Sequence, residues 1–150
     1  MSITIAQICN AVESTLGAAA TVKRSQSYDG LTEGMQDFPT LQIYPEAGNQ
    51  DPGGGNTDRT TFKAGVRQTE LIVHADYYAR QRSHLGEDMA AIVNGWDAIT
   101  NELEKQDSKP YFGLDGLQAF KWTAQRVIFE YGDPKVRYTG VRFVITFRIF

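Results

Sequence analysis

Residues 141–149 read Val-Arg-Phe-Val-Ile-Thr-Phe-Arg-Ile, with a large apolar side chain at every second position. Successive side chains of a β-strand point to opposite sides of a sheet, so this period of two predicts a strand with one buried face. The residues between the apolar ones include Arg142 and Arg148 and predict a second face that is partly basic. The fold must therefore supply another layer that covers the apolar side.

Other parts of the chain show the same alternation or a helical spacing of apolar residues. We predict four strands, at Thr40–Tyr44, Val66–Tyr78, Lys121–Tyr131 and Arg137–Ile149, with Thr21–Ser25 as a candidate for an additional short edge strand. Two helices are predicted, from Ile5 to Leu16 and from Leu85 to Leu103. A turn at Asp133-Pro134-Lys135 is expected to join the last two strands.

The ends of the predicted helices carry recognisable signals. Thr4 and Gln7 have the spacing of a capping box, and Gly17 suits a left-handed helix stop. Ser83 is expected to cap the second helix. Cys9 falls beside the apolar stripe of the first helix, which predicts a buried and unreactive thiol.

These elements predict one α+β domain over residues 1–150. We expect a mixed, mainly antiparallel sheet of about four strands, with two helices packed on one face, in the order α-β-β-α-β-β. A protruding mobile loop is expected at about 45–58, because this segment contains Gly53, Gly54 and Gly55 and few large apolar residues. The glycines do not predict a phosphate loop, since no Lys-Ser or Lys-Thr follows them.

Composition excludes several classes of protein. The 15 basic and 18 acidic residues give a net charge of −3, unlike the strongly basic surface of a dedicated nucleic-acid binder. No apolar run is long enough to span a membrane, and no export signal is apparent at the N-terminus, so we expect a soluble protein of the cytosol. One cysteine cannot form an intrachain disulfide.

The sequence offers no nucleophile beside a base, so we predict no catalytic residues, no cofactor and no resident metal. His74, Asp76 and His84 are the only group that resembles a metal site. Solvated or hydrogen-bonded side chains explain them more simply, and a small metal- or ligand-binding domain is kept as the alternative from another functional class.

The second face of the sheet is expected to bind another protein, because it carries apolar residues among its charges: Ile72, Tyr78, Trp122, Ile128 and Val144. The simpler alternative is that isolated apolar residues are common on protein surfaces. Our candidates for a subunit interface are Arg142, Val144, Arg148, Trp122, Tyr78, Tyr111 and Phe112. We hypothesise that Arg142 and Arg148 pair with acidic residues of a neighbouring copy.

Four features carry a resemblance to a known family: the order of elements, the strand entry from Asp37 to Tyr44, the long strand from Thr69 to Tyr78 and the strand from Val141 to Ile149. They resemble the tail terminator family of long-tailed bacteriophages, whose members are similar to minor tail protein U. The resemblance covers nearly the whole chain. The sequence departs from the family between the second helix and the last two strands, where Tyr111 and Leu117 lie in a longer connection.

The resemblance implies a structural virion protein at the head-proximal end of the tail, assembled in the host cytoplasm. Members of this family form a hexameric ring that caps the tail tube, stops the polymerisation of the tube and contacts the head-tail connector. DNA only passes through the ring. Family members carry a loop after the first strand, which implies these tail-tube contacts: Asn49, Gln50, Asp51, Gly53, Gly54, Gly55 and Asn56. Another neck or tail-completion protein of the same virion is the alternative within this class.

Overall fold

A computed structural model of the chain describes residues 3–31, 37–51, 68–131 and 135–149. Its elements in chain order are α1 (Ile5–Leu16), β1 (Arg24–Gln26), β2 (Thr40–Asp51), β3 (Gln68–Gln81), α2 (Leu85–Glu104), a short 3-10 helix (Tyr111–Gly113), β4 (Leu117–Tyr131) and β5 (Val136–Ile149). The strands form one sheet in the order β1-β2-β3-β5-β4, in which only β1 and β2 are parallel. The predicted α+β class is confirmed.

The structure has five strands where about four were predicted, and the order differs from α-β-β-α-β-β. The difference is β1, an edge strand before β2 that overlaps the candidate at Thr21–Ser25 but begins and ends later. This strand has three residues, and Ser25 at its centre pairs with Leu41 of β2. A segment this short shows no period in its side chains. Only its backbone pairing with β2, a contact distant in sequence, defines it as a strand.

β2 is also longer than predicted and takes up part of the expected loop at 45–58. Its residues Ala47–Asp51 pair with β3, after a bulge that follows Pro45. This part of β2 has no large apolar side chain, so it gave no signal of burial. Pairing with the long strand β3 requires only backbone groups, and the rest of the expected loop, 52–58, lies outside the described residues.

Helix α1 begins with the predicted capping box, in which Thr4 and Gln7 exchange hydrogen bonds of 2.8 and 3.1 Å. The expected role of Gly17 is wrong, since its φ of −65° is right-handed. A Cβ at this position would lie 2.6 Å from the hydroxyl oxygen of Ser25 and 2.5 Å from the carbonyl oxygen of Glu13. Gly17 therefore lets the end of α1 approach β1, where Ser25 donates a 2.8 Å hydrogen bond to the Glu13 carboxylate.

Helix α2 begins after His84, and Ser83 does not cap it through its side chain as predicted. The contact runs the other way, because the backbone N–H of Ser83 donates to the carboxylate of Asp88 at 3.2 Å. Further along, Gly95 faces the ring of Tyr77 on β3, so closely that a Cβ would overlap the ring. The absence of a side chain at Gly95 sets the spacing between α2 and the sheet.

Both helices pack on the same side of the sheet, which we call the helix face. On β5 the fully buried side chains are Val141, Phe143, Ile145 and Phe147, as the alternation predicted. The expected position of Trp122 on the other face is wrong, because Trp122 pairs directly with Ile145 and shares its side of the sheet. Ile128 has the same phase and also lies on the helix face, beside Met89 and Ile92 of α2.

The connection between α2 and β4 closes one end of the core. Phe112 is buried and has a left-handed backbone with φ of 54°. Its ring lies edge-on to Phe120 and Phe147, with centroids 5.2 and 5.6 Å away. The side chain of Gln106 accepts a 2.7 Å hydrogen bond from the Phe112 backbone N–H. Phe112, one of the interface candidates, therefore belongs to the core of its own chain.

Candidate functional site

The sheet face turned away from the helices, here called the open face, carries most of the polar groups that the sequence singled out. Asp76 of β3 pairs across the sheet with Arg142 of β5 and with Gln42 of β2. Directly paired residues of antiparallel strands point to the same side. The register therefore brings these polar side chains together above the middle of the sheet.

At the centre of the open face, Asp76 is bound by two donors. Nε of Arg142 lies 2.8 Å from one carboxylate oxygen, and an outer guanidinium nitrogen lies 3.2 Å from the other. The hydroxyl of Tyr44 donates to the same carboxylate at 2.5 Å and accepts from Arg142 at 3.3 Å. This bidentate ion pair with a shared tyrosine is the strongest polar arrangement on the open face.

The burial of Asp76 makes this network important for the stability of the fold. The side chain of Asp76 is fully buried, whereas that of Arg142 is 29% exposed. The hydrogen bond with Asp76 is the largest cause that raises the pKa of Arg142 above its usual range, against the opposing effect of burial. The guanidinium group also lies over the ring of Phe129, 5.5 Å from its centroid. Arg142 is thus held by its own chain.

His74 lies at the edge of this network. Its Nδ1 is 3.4 Å from the Tyr44 hydroxyl oxygen and 3.8 Å from a carboxylate oxygen of Glu46. Burial lowers the pKa of His74, and the positive charge of Arg142 lowers it further, while Asp76 and Glu46 act in the opposite direction. The lowered pKa favours the neutral imidazole, which acts as a hydrogen-bonding group.

A separate aromatic cluster covers one end of the open face. Tyr78 is fully buried there, with its ring 4.2 Å from that of Phe129 and 6.2 Å from that of Tyr138. Phe38, just before β2, lies 5.5 Å from Tyr138. Tyr78, a predicted interface residue, thus has its apolar surface covered within the chain.

The remaining interface candidates differ in how much surface they offer. Arg148 pairs with Glu70 at 3.6 Å on the open face, and both side chains are partly exposed. Val144 is half-buried opposite His74. Tyr111 packs edge-on against Phe120 at the end of the core. The structure thus gives both arginines an acidic partner in their own chain. Of the apolar residues expected on the open face, Tyr78 is buried and Ile72 and Val144 are half-buried.

Another exposed apolar surface lies between α2 and β4. Sequence reasoning named Trp122 and Ile128 of this surface but placed both on the other face of the sheet. Leu85 is 66% exposed, Val93 48% and Ile128 43%. Met89, Trp96 and Trp122 are half-buried beside them, and both tryptophan rings contact Phe143. We call this surface the α2–β4 groove, defined by Leu85, Met89, Val93, Trp96, Trp122 and Ile128. Leu85, Met89 and Ile128 line one cavity together with the charged residues Arg82, Asp88 and Arg126, and Val93 follows Met89 by one helical turn.

The groove borders an open strand edge. β4 is the last strand of the sheet and runs over 15 residues, and no described strand pairs with its outer side. Between Ala119 and Tyr131 it pairs with β5 without a bulge and contains no proline or glycine. Long regular edges of this kind bind further strands readily, and monomeric proteins normally protect them.

Those described residues that were considered for chemistry are bound to other side chains or lie apart. Within the described ranges, no group of three His, Cys, Asp or Glu side chains could hold a metal. The Asp76 carboxylate is occupied by Arg142 and Tyr44, and His84 lies past the far end of β3 from His74. Burial raises the pKa of the Cys9 thiol to about 11, which confirms a buried cysteine in its protonated form.

The residues expected to contact the tail tube fall in two groups. Asn49, Gln50 and Asp51 lie in β2 and pair with β3. Gly53, Gly54, Gly55 and Asn56 lie outside the described residues. The first group therefore belongs to an ordered strand and not to a loop.

Neither protein-family models nor the sequences of curated proteins match this chain. In the described part of the chain, no helix is both long and apolar enough to cross a membrane.

Proposed function

We propose that this chain is a structural subunit of a phage tail, of the terminator type, and that copies of it form a ring at the head-proximal end of the tail. The ring caps the tail tube, stops its polymerisation and offers a surface to the head-tail connector. The protein is assembled in the host cytoplasm and acts without catalysis. Nothing in this role requires a cofactor or specific binding of DNA.

The observation that carries the proposal is the edge of β4, which no described strand covers, beside the exposed α2–β4 groove. Leaving large apolar side chains in water costs roughly 25 cal/mol for each Å² that a partner would bury. An unprotected strand edge also invites pairing with another chain. Together these features favour a protein whose working state is an assembly.

A ring requires two different surfaces on each subunit, because head-to-tail contacts repeat around an axis until they close. The α2–β4 groove supplies one such surface at one edge of the sheet. The opposite edge, formed by β1 and β2, carries different side chains and supplies a second. An enzyme or ligand-binding domain would need a different feature, a concave site with converging polar groups.

The test is to purify the protein and measure its native mass by light scattering, and to image it by negative stain with and without tail tube protein. We expect closed rings, and tubes that stop growing once rings occupy their ends. Replacing both Val93 and Ile128 by Lys should prevent ring formation without unfolding the domain. Asn94→Lys, at an exposed position of the same helix, is the matched control and should leave rings intact.

Rings that join heads to tails but do not stop tube growth would indicate a neck or tail-completion protein instead. A monomer that holds stoichiometric metal after purification, and that never associates with tubes, would contradict the proposal and support the metal-binding alternative.

A further inference from the structure

The sheet of described strands has a second edge, opposite β4. β1 pairs only with the first three residues of β2, Thr40 to Gln42. The next nine residues of β2, 43–51, pair with β3 on one side, and no described strand pairs with their other side. At about 3.3 Å per residue this stretch is roughly 30 Å long, so β4 is long enough to pair with all of it.

We propose that β4 of one copy pairs with the stretch 43–51 of β2 in the next copy, so that the sheets continue from subunit to subunit around the ring. This inference rests on the proposed function and specifies its contact. The occupant of the β4 edge is therefore a second copy of the same chain.

The direction of pairing follows from the topology. β2, β3, β5 and β4 alternate in direction, so β2 and β4 run in opposite directions within one subunit. A rotation about an axis along the strands carries one subunit onto the next without reversing β2. The contact is then antiparallel, the same kind of pairing that holds the rest of the sheet together.

Charge complementarity supports this choice of partner. The stretch 43–51 contains Glu46 and Asp51 and no basic residue. β4 contains Lys121 and Arg126 against one acidic residue, Glu130, which pairs with Arg137 at 3.2 Å in its own chain. Opposite charges at facing edges favour this contact over the pairing of two β4 edges.

Glu46 and Lys121 lie on the same side of the sheet. The side chain of Glu46 is 52% exposed, and its carboxylate lies beside His74 on the open face. Lys121 lines a shallow depression on that face together with Thr146 and Arg148. Strand pairing would place the two side chains on the same surface of the extended sheet, within reach of each other.

The same contact would also cover the α2–β4 groove. Helix α1 packs over β2 on the helix face, so it accompanies β2 to the contact. Continuation of the sheet then brings α1 of the next copy alongside α2, above Val93 and Ile128. A single contact between copies thus pairs the backbone groups of the strand edge and buries the exposed apolar residues.

Disulfide trapping tests the contact. Glu46→Cys is combined in turn with Lys121→Cys, Thr123→Cys and Gln125→Cys, three neighbouring positions on the open face of β4. Within one chain β2 and β4 are three strand spacings apart, about 14 Å, whereas a disulfide requires Cα atoms within about 7 Å. Any disulfide between these positions must therefore join two copies.

Under mild oxidation of assembled protein, at least one of the three pairs should form a ladder of covalent multimers on a denaturing gel, and each single variant should remain monomeric. Glu46→Cys with Glu104→Cys, at the exposed end of α2, is the matched control and should give no ladder. Hydrogen exchange gives a second measurement, which does not depend on the register of β4 against β2 of the next copy. Exchange of the β4 backbone amides should slow on assembly.

Rings that form without cross-linking in any pair, and without slower exchange in β4, would overturn this inference and leave the proposed function standing. Cross-linking by Lys121→Cys alone would also overturn it, because two β4 edges would then be paired. Failure to form rings under every condition, including with tail tube present, would reject both the contact and the proposed function.

Discussion

At the scale of single residues, two ion pairs on the same strands of the open face should differ sharply in their contribution to stability. Asp76 and Arg142 form a bidentate pair with a fully buried carboxylate, whereas Glu70 and Arg148 lie 3.6 Å apart and are partly exposed. Removing one partner of a buried pair leaves an uncompensated charge, but exposed pairs contribute little.

Asp76→Asn should therefore lower the free energy of unfolding by about 3 kcal/mol or more. Glu70→Gln, the matched control on β3, should change it by less than about 1 kcal/mol. Urea denaturation of the two variants measures both values. Equal losses of unfolding free energy in the two variants would mean that the pair of Asp76 and Arg142 is solvated and does not stabilise the contact between β3 and β5.

His74 should make stability depend on pH. Burial and the nearby Arg142 lower its pKa in the folded state, so between its unfolded value of about 6.5 and the lower folded value only the unfolded chain takes up a proton. Stability should therefore be full above about pH 6.5 and fall as the pH drops through the folded pKa.

Unfolding free energies measured from pH 7.5 down to 5.5 check this expectation. His74→Gln should flatten the dependence in this range, and His84→Gln, at an exposed position before α2, should not. An unchanged slope in the first variant would assign the dependence to other groups.

At the scale of elements, the spacing of α2 from β3 depends on Gly95. A methyl group at this position would overlap the Tyr77 ring, so Gly95→Ala should destabilise the protein by about 1–3 kcal/mol despite the better helix propensity of alanine. Gly86→Ala in the same helix meets nothing within 4 Å and should be neutral or stabilise by up to about 1 kcal/mol. Thermal unfolding of both variants separates packing from propensity, and a stabilising Gly95→Ala would contradict the packing argument.

The sequence predicted the elements whose own side chains carry a period. Both helices and the long strands were found in this way, with ends that shift by a few residues at β3 and β4. β1 was predicted only as a candidate at Thr21–Ser25, and the second half of β2 was missed, because backbone pairing with distant residues defines both. A period of two also states which residues share a face but not which face is covered, and for this reason Trp122 was placed on the wrong side.

The candidate site was less predictable than the fold. Asp76 and Arg142 are 66 positions apart, and only the register of β3 against β5 makes them partners. The open edge of β4 depends on the order of strands in the sheet, which alternation cannot reveal. The exposed residues of the groove were assigned to a helix stripe and a strand, and their shared surface follows only from the packing of α2.

At the scale of the whole molecule, Cys9 should report complete unfolding. It lies in α1 within the core shared by both helices and the sheet, and burial raises the pKa of its thiol to about 11. The thiol is therefore both inaccessible and protonated at pH 8, and alkylation needs the domain to open. Mass spectrometry after pulses of iodoacetamide should find almost no modification in native buffer and complete modification in concentrated urea.

Ser14→Cys, on the exposed side of the same helix, is the control and should react quickly in native buffer. Rapid modification of Cys9 in the folded protein would show that α1 detaches locally from the sheet. Such detachment would also weaken the argument that α1 accompanies β2 into an assembly.

The chain has two tryptophans, and both lie in the α2–β4 groove, where each ring contacts Phe143. Indole emission moves to shorter wavelength when water leaves its surroundings. The two tryptophans are therefore intrinsic fluorescence probes at the surface where a neighbouring copy would bind. A dilution series followed by intrinsic fluorescence would report covering of the groove in real time, without any label.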